Sequence, residues 1–139
     1  MRHAQLPACT ALARACPETT FVLDHAGKPY IRGGVLDPWR QNLAALARLP
    51  NVVCKLSGLV TEAEPATWTP AALRPYVEHL LSCFGPGRLL FGSDWPFAEP
   101  GLQLEECVRV CGESGVPRDR LESLMLENSR RLWPEAFEA

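Results

Sequence analysis

Residues 88–97 read RLLFGSDWPF. Leu89, Leu90 and Phe91 form a run of strand length, which ends on Gly92, Ser93 and Asp94 just before Trp95-Pro96. A carboxylate is costly to bury without a partner, so Asp94 either caps a turn or points into a site. Two earlier stretches have the same make-up, TFVLD at 20–24 and NVVCKL at 51–56. Each is short, apolar and carries β-branched or aromatic residues, which predicts a strand. Each leads through a Gly-containing turn towards a helical pattern.

The helices have their own signals. Asp37-Pro38 offers an N-cap and a proline at the first helical position, ahead of Leu43, Leu46, Ala47 and Leu49. Thr69-Pro70 repeats that start ahead of Leu73, Val77, Leu80, Leu81 and Phe84, with Pro75 expected to kink the helix near its first turn. Helical patterns at about 102–114 and 118–132 follow the last strand, and an amphipathic helix is expected at the N-terminus. The predicted strands begin at 20, 51 and 88. That spacing suits a strand plus a crossover helix, so the strands are expected to be parallel and the class α/β. Three parallel strands alone leave both sheet edges open. Residues 1–139 are therefore read as one partial domain, a piece of a larger barrel or sheet.

A net charge of −2 leaves no basic patch for nucleic acid or for an anionic membrane surface. No apolar run approaches the roughly 20 residues needed to span a bilayer. The N-terminal MRHAQLPACTALARACPE is broken by Gln5, Pro7, Thr10 and Arg14, and is not read as a signal peptide. The cysteines, Cys9, Cys16, Cys54, Cys83, Cys107 and Cys111, are irregularly spaced and lie mostly in apolar helix or strand patterns. Buried thiols in a reducing, cytoplasmic setting are expected rather than disulfides. Cys107 and Cys111 share a helix face, but without a CxxC or a nearby His they do not predict a metal site.

In parallel α/β folds the site lies beyond the carboxyl ends of the strands. There this chain places Asp24-His25 and Lys28, then Lys55 and Ser57, then Ser93-Asp94. Continued strand alternation would put His25 on the face of Phe21 and Leu23, and Asp94 on that of Leu90 and Gly92, while Lys55 and Ser57 follow Val53. Taken singly, His25 reads equally well as a satisfied turn histidine, Asp94 as a cap and Lys28 as a solvated loop residue. Asp24, on the opposite face from His25, reads as structural. Lys55 within a strand requires a carboxylate or an anionic ligand. Trp39, Trp68 and Trp133 are expected to pack, and Trp95 to line a pocket. An Asp and a His converging at one rim can activate water for hydrolysis. A serine nucleophile is disfavoured, because neither Ser57 nor Ser93 sits in a GxSxG elbow.

FVLDHAGKP, NVVCKLSGLVTEA and LLFGSDWPF, in this order and spacing, resemble the C-terminal half of the amidohydrolase-related family. The resemblance is to the branch of sugar-acid lactonases and 2-pyrone-4,6-dicarboxylate lactonases. It implies the last three βα units of a distorted (β/α)8 barrel of the metal-dependent hydrolase type, acting on a small-molecule lactone or carboxylic acid. It implies His25 as a metal ligand or carbonyl-polarising group, and Asp94 as the group that activates water and contacts a metal where one is bound. Lys28, Lys55, Ser57 and Trp95 become candidate substrate-binding residues. The cofactor implied is one divalent ion, zinc or similar, or none. The family's His-x-His pair has no counterpart here, since His3 and His79 stand alone. A decarboxylase or hydratase of the same superfamily, and a non-catalytic half-barrel that assembles with itself or with a missing N-terminal half, are the alternative readings.

Overall fold

The computed structural model describes residues 2–94 and 104–138. A three-stranded sheet lies at its centre, β1 (Phe21–Leu23), β2 (Val52–Leu56) and β3 (Leu89–Phe91), in the order β1-β2-β3. Both pairings are parallel, with Leu23 opposite Cys54 and Lys55 opposite Leu90. Helices α1 (Leu6–Ala15), α2 (Trp39–Ala47), a short α3 (Leu59–Glu62), α4 (Pro70–Phe84), α5 (Leu104–Glu113), α6 (Arg118–Glu122) and α7 (Asn128–Leu132) complete it. The α/β class and the parallel sheet are as expected.

The register divides the sheet into two faces. Phe21, Leu23, Val52, Cys54, Leu56, Leu89 and Phe91 share one face, which packs with Leu6, Leu43, Leu46, Leu73, Val77 and Leu80 from the helices. Burying these side chains is the main drive to fold, at about 25 cal/mol per Å² of apolar surface. Val22, Val53, Lys55 and Leu90 share the other face and stand outside that cluster.

The helix starts divide in the same way. Thr69 is the N-cap of α4, its hydroxyl accepting from Ala72 N at 3.3 Å, and Pro70 is the first helical residue. Pro75 is accommodated within that helix. In α2 the N-cap is Pro38 instead of Asp37, and the Asp37 carboxylate accepts from Arg40 at 2.7 Å. The expected helix over 118–132 is interrupted by a π-helical turn at Ser123–Glu127. Trp39 packs in the core at 1% exposure, whereas Trp133 lies at the surface at 38%.

The amino ends of the strands are tied by side chains that collect backbone carbonyls. Asn51 Nδ2 donates to Ala13, Cys16 and Thr19, each at 3.0 Å. Arg88 donates to Ala47, Leu49, Val52 and Cys83 at 2.9–3.4 Å. Asn128 Nδ2 donates to Pro86 and Leu89 at 2.7 Å. Among the described residues Cys9, Cys16, Cys54, Cys83 and Cys111 are thiols, of which Cys54 is fully buried. No helix among them is long and apolar enough to cross a membrane.

Candidate active site

β1 ends at Leu23, and the chain then runs left-handed through His25 (φ 50°), Ala26 (51°), Gly27 (69°) and Lys28 (51°). For a non-glycine residue this conformation costs roughly 1–2 kcal/mol, so the surroundings must hold it. Ala26 and Gly27 are buried, and Trp39 Nε1 donates to Ala26 O at 2.7 Å. A Cβ on Gly27 would fall 3.0 Å from the Leu6 side chain.

This turn corrects the alternation argument. Extended strand would have sent His25 towards the helices with Phe21 and Leu23. The left-handed turn brings its ring back over the rim instead. His25 Nε2 lies 3.4 Å from Asp94 Oδ1 and 3.3 Å from Asp24 Oδ2, and Nδ1 lies 2.9 Å from Ser57 Oγ. Asp24 is likewise not set apart from this cluster. It follows Val22 on the Lys55 face, and its Oδ1 is 3.1 Å from Lys55 Nζ. That contact is an ion pair and not an aligned hydrogen bond, since Oδ1 has no hydrogen-bond partner. Lys55 thus has the carboxylate it requires.

Asp94 (φ 61°) keeps a side chain only 9% exposed, and Thr61 Oγ1 lies 3.3 Å from its Oδ2. Two glycines make room. A Cβ on Gly58 would lie 2.9 Å from His25 Nδ1, and one on Gly92 would lie 3.0 Å from Ser57 Cβ. Lys28 is not solvated, for its Nζ donates to Glu62 Oε1 at 2.8 Å. Trp95 lies outside the described residues. Thr61 and Glu62 escaped sequence reading because α3 is a single turn with no periodic signal. Asp24 had a signal in its two-residue offset from Val22.

His25, Asp94, Ser57, Lys55 and Asp24 therefore form one connected polar cluster at the carboxyl ends of all three strands. Beside it a cleft opens between the sheet and α4 and α5, with Leu56, Leu73, Val77, Phe91 and Val110 in its walls. It meets the cluster through Ser57 and Asp94 but is not lined by His25, Asp24 or Lys55. The polar cluster, where acid–base groups meet, is the better indicator of chemistry.

Bonds from zinc to nitrogen or oxygen are about 2.0–2.2 Å, so His25 Nε2 and Asp94 Oδ1, 3.4 Å apart, can share one ion. A catalytic zinc has three protein ligands. Among the described residues no group of three His, Cys, Asp or Glu side chains is arranged to hold a metal. His25 and Asp94 thus fit two ligand positions. His3 Nδ1 meets Lys28 O at 3.1 Å and His79 Nε2 meets Arg40 O at 2.9 Å, so both serve elsewhere.

Burial pushes the Cys54 thiol far above its ordinary value, with the Asp24 and Cys83 charges adding to the rise against a backbone hydrogen bond at Ala26. The Cys83 thiol is raised by burial too, against the lowering effect of Arg88. Neither suits a nucleophile.

The chain is 44% identical over 119 residues to an L-fucono-1,5-lactonase of Burkholderia ambifaria, covering 79% of this chain and 39% of that protein. An L-fucono-1,5-lactonase of Burkholderia multivorans is 44% identical over 104 residues, or 66% of this chain and 34% of that one. The fold superimposes with a TM-score of 0.81 and 36% identity on a crystal structure of a Burkholderia multivorans amidohydrolase with bound zinc, covering 96% of this chain and 50% of that one. A Pseudomonas putida protein assigned as a 2-pyrone-4,6-dicarboxylic acid hydrolase gives a TM-score of 0.68 at 26% identity, again over 96% of this chain and 50% of that one. The chain thus spans well under half of the curated relatives and about half of these solved structures. The amidohydrolase family profile matches residues 1–134, and by that match the chain belongs to the amidohydrolase family.

Proposed function

We propose that this chain carries the water-activating rim of a lactone hydrolase, and that its strands correspond to the last three βα units of an eight-stranded barrel. The observation that carries the reading is the approach of His25 Nε2 to Asp94 Oδ1, 3.4 Å apart at the ends of β1 and β3. Similarity to the two L-fucono-1,5-lactonases supports a sugar-acid lactone as substrate, and hence a step in carbohydrate breakdown. Reduced thiols support a cytoplasmic setting. The outer sides of β1 and β3 are unpaired among the described residues, and strands from the rest of a barrel or from a second copy would close them.

In this mechanism the lactone carbonyl lies over the rim, and His25 Nε2–H donates to its oxygen. The Asp94 carboxylate takes a proton from water as the water oxygen bonds to the carbonyl carbon. The tetrahedral intermediate then collapses, the ring C–O bond breaks, and Asp94 returns the proton to the leaving alkoxide, giving the hydroxy acid. Lys55, steadied by Asp24, faces the same rim and binds a hydroxyl or carboxylate of the substrate. Lys28 and Trp95 complete the substrate contacts, and Ser57 adds its hydroxyl beside His25. His25 and Asp94 would hold a divalent ion, which when bound supplies Lewis-acid polarisation of the carbonyl.

The test is acid release from L-fucono-1,5-lactone, in weak buffer with a pH indicator, by a complete barrel that includes this chain. Asp94→Asn is expected to lower kcat at least about 10²-fold while KM stays within a few-fold. Unchanged turnover in that variant would remove Asp94 from the mechanism. Absence of wild-type turnover on sugar-acid and pyrone lactones alike would remove the lactonase reading.

A further inference from the structure

The cleft beside the polar cluster holds one group that packing does not explain. Ser114, the residue after α5, lines it together with Val110 from α5 and Leu73 and Val77 from α4. Ser114 is 1% exposed, and its hydroxyl has no hydrogen-bond partner among the described residues. A serine at a helix end can bond back to the carbonyl one turn earlier. Here Val110 O accepts the Ser114 backbone N–H at 2.8 Å, and the hydroxyl does not share it.

A buried hydroxyl without a partner destabilises a fold, and alanine at the same position would not. Such a departure from the packing rule is expected where a residue serves function. A buried water needs about two to four polar partners, whereas Leu73, Val77 and Val110 offer only methyl groups. Ser57 and Asp94 also line the cleft, so it is continuous with the rim. The group that fits is aliphatic along its length, carries one oxygen for Ser114, and begins at the rim. A hydroxyl suits that oxygen, because it can both donate to Ser114 and accept from it.

We infer that the cleft is a substrate subsite, which takes a short aliphatic arm of the lactone ring and bonds one hydroxyl of that arm to Ser114. The ring itself lies over Asp94. The place of the ring rests on the lactonase reading, whereas binding in the cleft is tested without turnover, so the two fail separately.

The experiment is methyl NMR on a complete barrel that includes this chain, labelled with ¹³C in its valine methyl groups, with 1-butanol as the probe. The Val77 and Val110 signals are identified by their loss in Val77→Ile and Val110→Ile. Both are expected to shift saturably with butanol, and ethanol, two methylenes shorter, to bind about 15-fold more weakly. Ser114→Ala is expected to weaken butanol binding about 3- to 10-fold. Its urea midpoint is expected to be equal or higher, because the protein loses no hydrogen bond. Butanol is also expected to inhibit lactone turnover competitively. Val77 and Val110 signals that butanol leaves in place, equal butanol affinity in Ser114→Ala, a lowered urea midpoint in that variant, or inhibition that is not competitive would each overturn the inference. Absence of turnover on every lactone would remove the lactonase reading, while the butanol measurements would still decide the cleft.

Discussion

His25 Nε2 and Asp94 Oδ1 stand 3.4 Å apart although they follow β1 and β3, strands that do not pair with each other. β2 lies between them and supplies Ser57, which touches the far side of the imidazole. Contact across three strands depends on every intermediate element keeping its place, and that dependence can be tested at several points.

Gly58 is left-handed at φ 63°, with the imidazole where its Cβ would be. Gly34 has the same φ, 64°, but nothing within 4 Å of its Cβ position. Gly34→Ala is expected to cost about 1–2 kcal/mol from backbone strain alone. Gly58→Ala should cost more and should also abolish turnover by displacing His25. Urea unfolding and the lactone assay on both variants check this, and equal effects would contradict it.

Trp39 holds the left-handed turn through its bond to Ala26 O. Trp39→Phe keeps most of the buried ring but leaves a buried carbonyl without its donor, a loss of about 1–3 kcal/mol. Because His25 sits on that turn, kcat is expected to fall as well. Unchanged kcat in a destabilised variant would show that the turn is held by its other contacts.

Lys55 and Asp24 are 39% and 49% exposed at their side chains. Pairs of that exposure contribute about 0–1 kcal/mol, so Lys55→Met is expected to leave the unfolding free energy within about 1 kcal/mol. If Lys55 binds substrate, KM rises instead, by about tenfold for the loss of one such interaction of ~1.4 kcal/mol. A stability loss of about 3 kcal/mol or more would mark a buried pair and a structural role.

Arg88 gathers four carbonyls, and its guanidinium lies 5.3 Å from the centre of the Phe84 ring. Arg88→Met is expected to lower stability by about 2–4 kcal/mol while KM is unchanged, because the group lies at the end of the strands away from the rim. The urea midpoint and the lactone assay separate the two effects.

Burial holds the Cys54 and Cys83 thiols and the Tyr76 phenol above their ordinary values of 9.0, 9.0 and 10.0. Above about pH 9 the unfolded chain releases protons from these groups that the folded chain keeps, so stability falls as pH rises from there. The urea midpoint should decline between about pH 9 and 11, and less steeply in Cys54→Ala. A flat or rising midpoint would contradict the assignment.

The strands were legible because their apolar runs are short and bounded, and the helix at Thr69-Pro70 because cap and proline act locally. Local signals report a left-handed turn between Asp24 and Lys28 only weakly, since Gly27 favours it, His25 merely tolerates it, and Ala26 and Lys28 oppose it. Strand alternation therefore predicts the face of Phe21 and Leu23 for His25, whereas the turn carries its ring to Ser57 and Asp94. Asp24 was set aside for the same reason, although its offset from Val22 places it beside Lys55 once the register is known. Thr61 and Glu62 belong to an element too short for periodicity to mark. The π-helical turn at 123–127 and the exposed Trp133 reflect tertiary packing, which a run of leucines does not specify.

Asn51, Arg88 and Asn128 fasten the chain at the amino ends of the strands, whereas His25, Ser57 and Asp94 sit at the opposite ends. A scaffold bolted at its base can exchange side chains at its lip with little threat to its integrity. Descendants of such a molecule are free to try new reactions on an old frame.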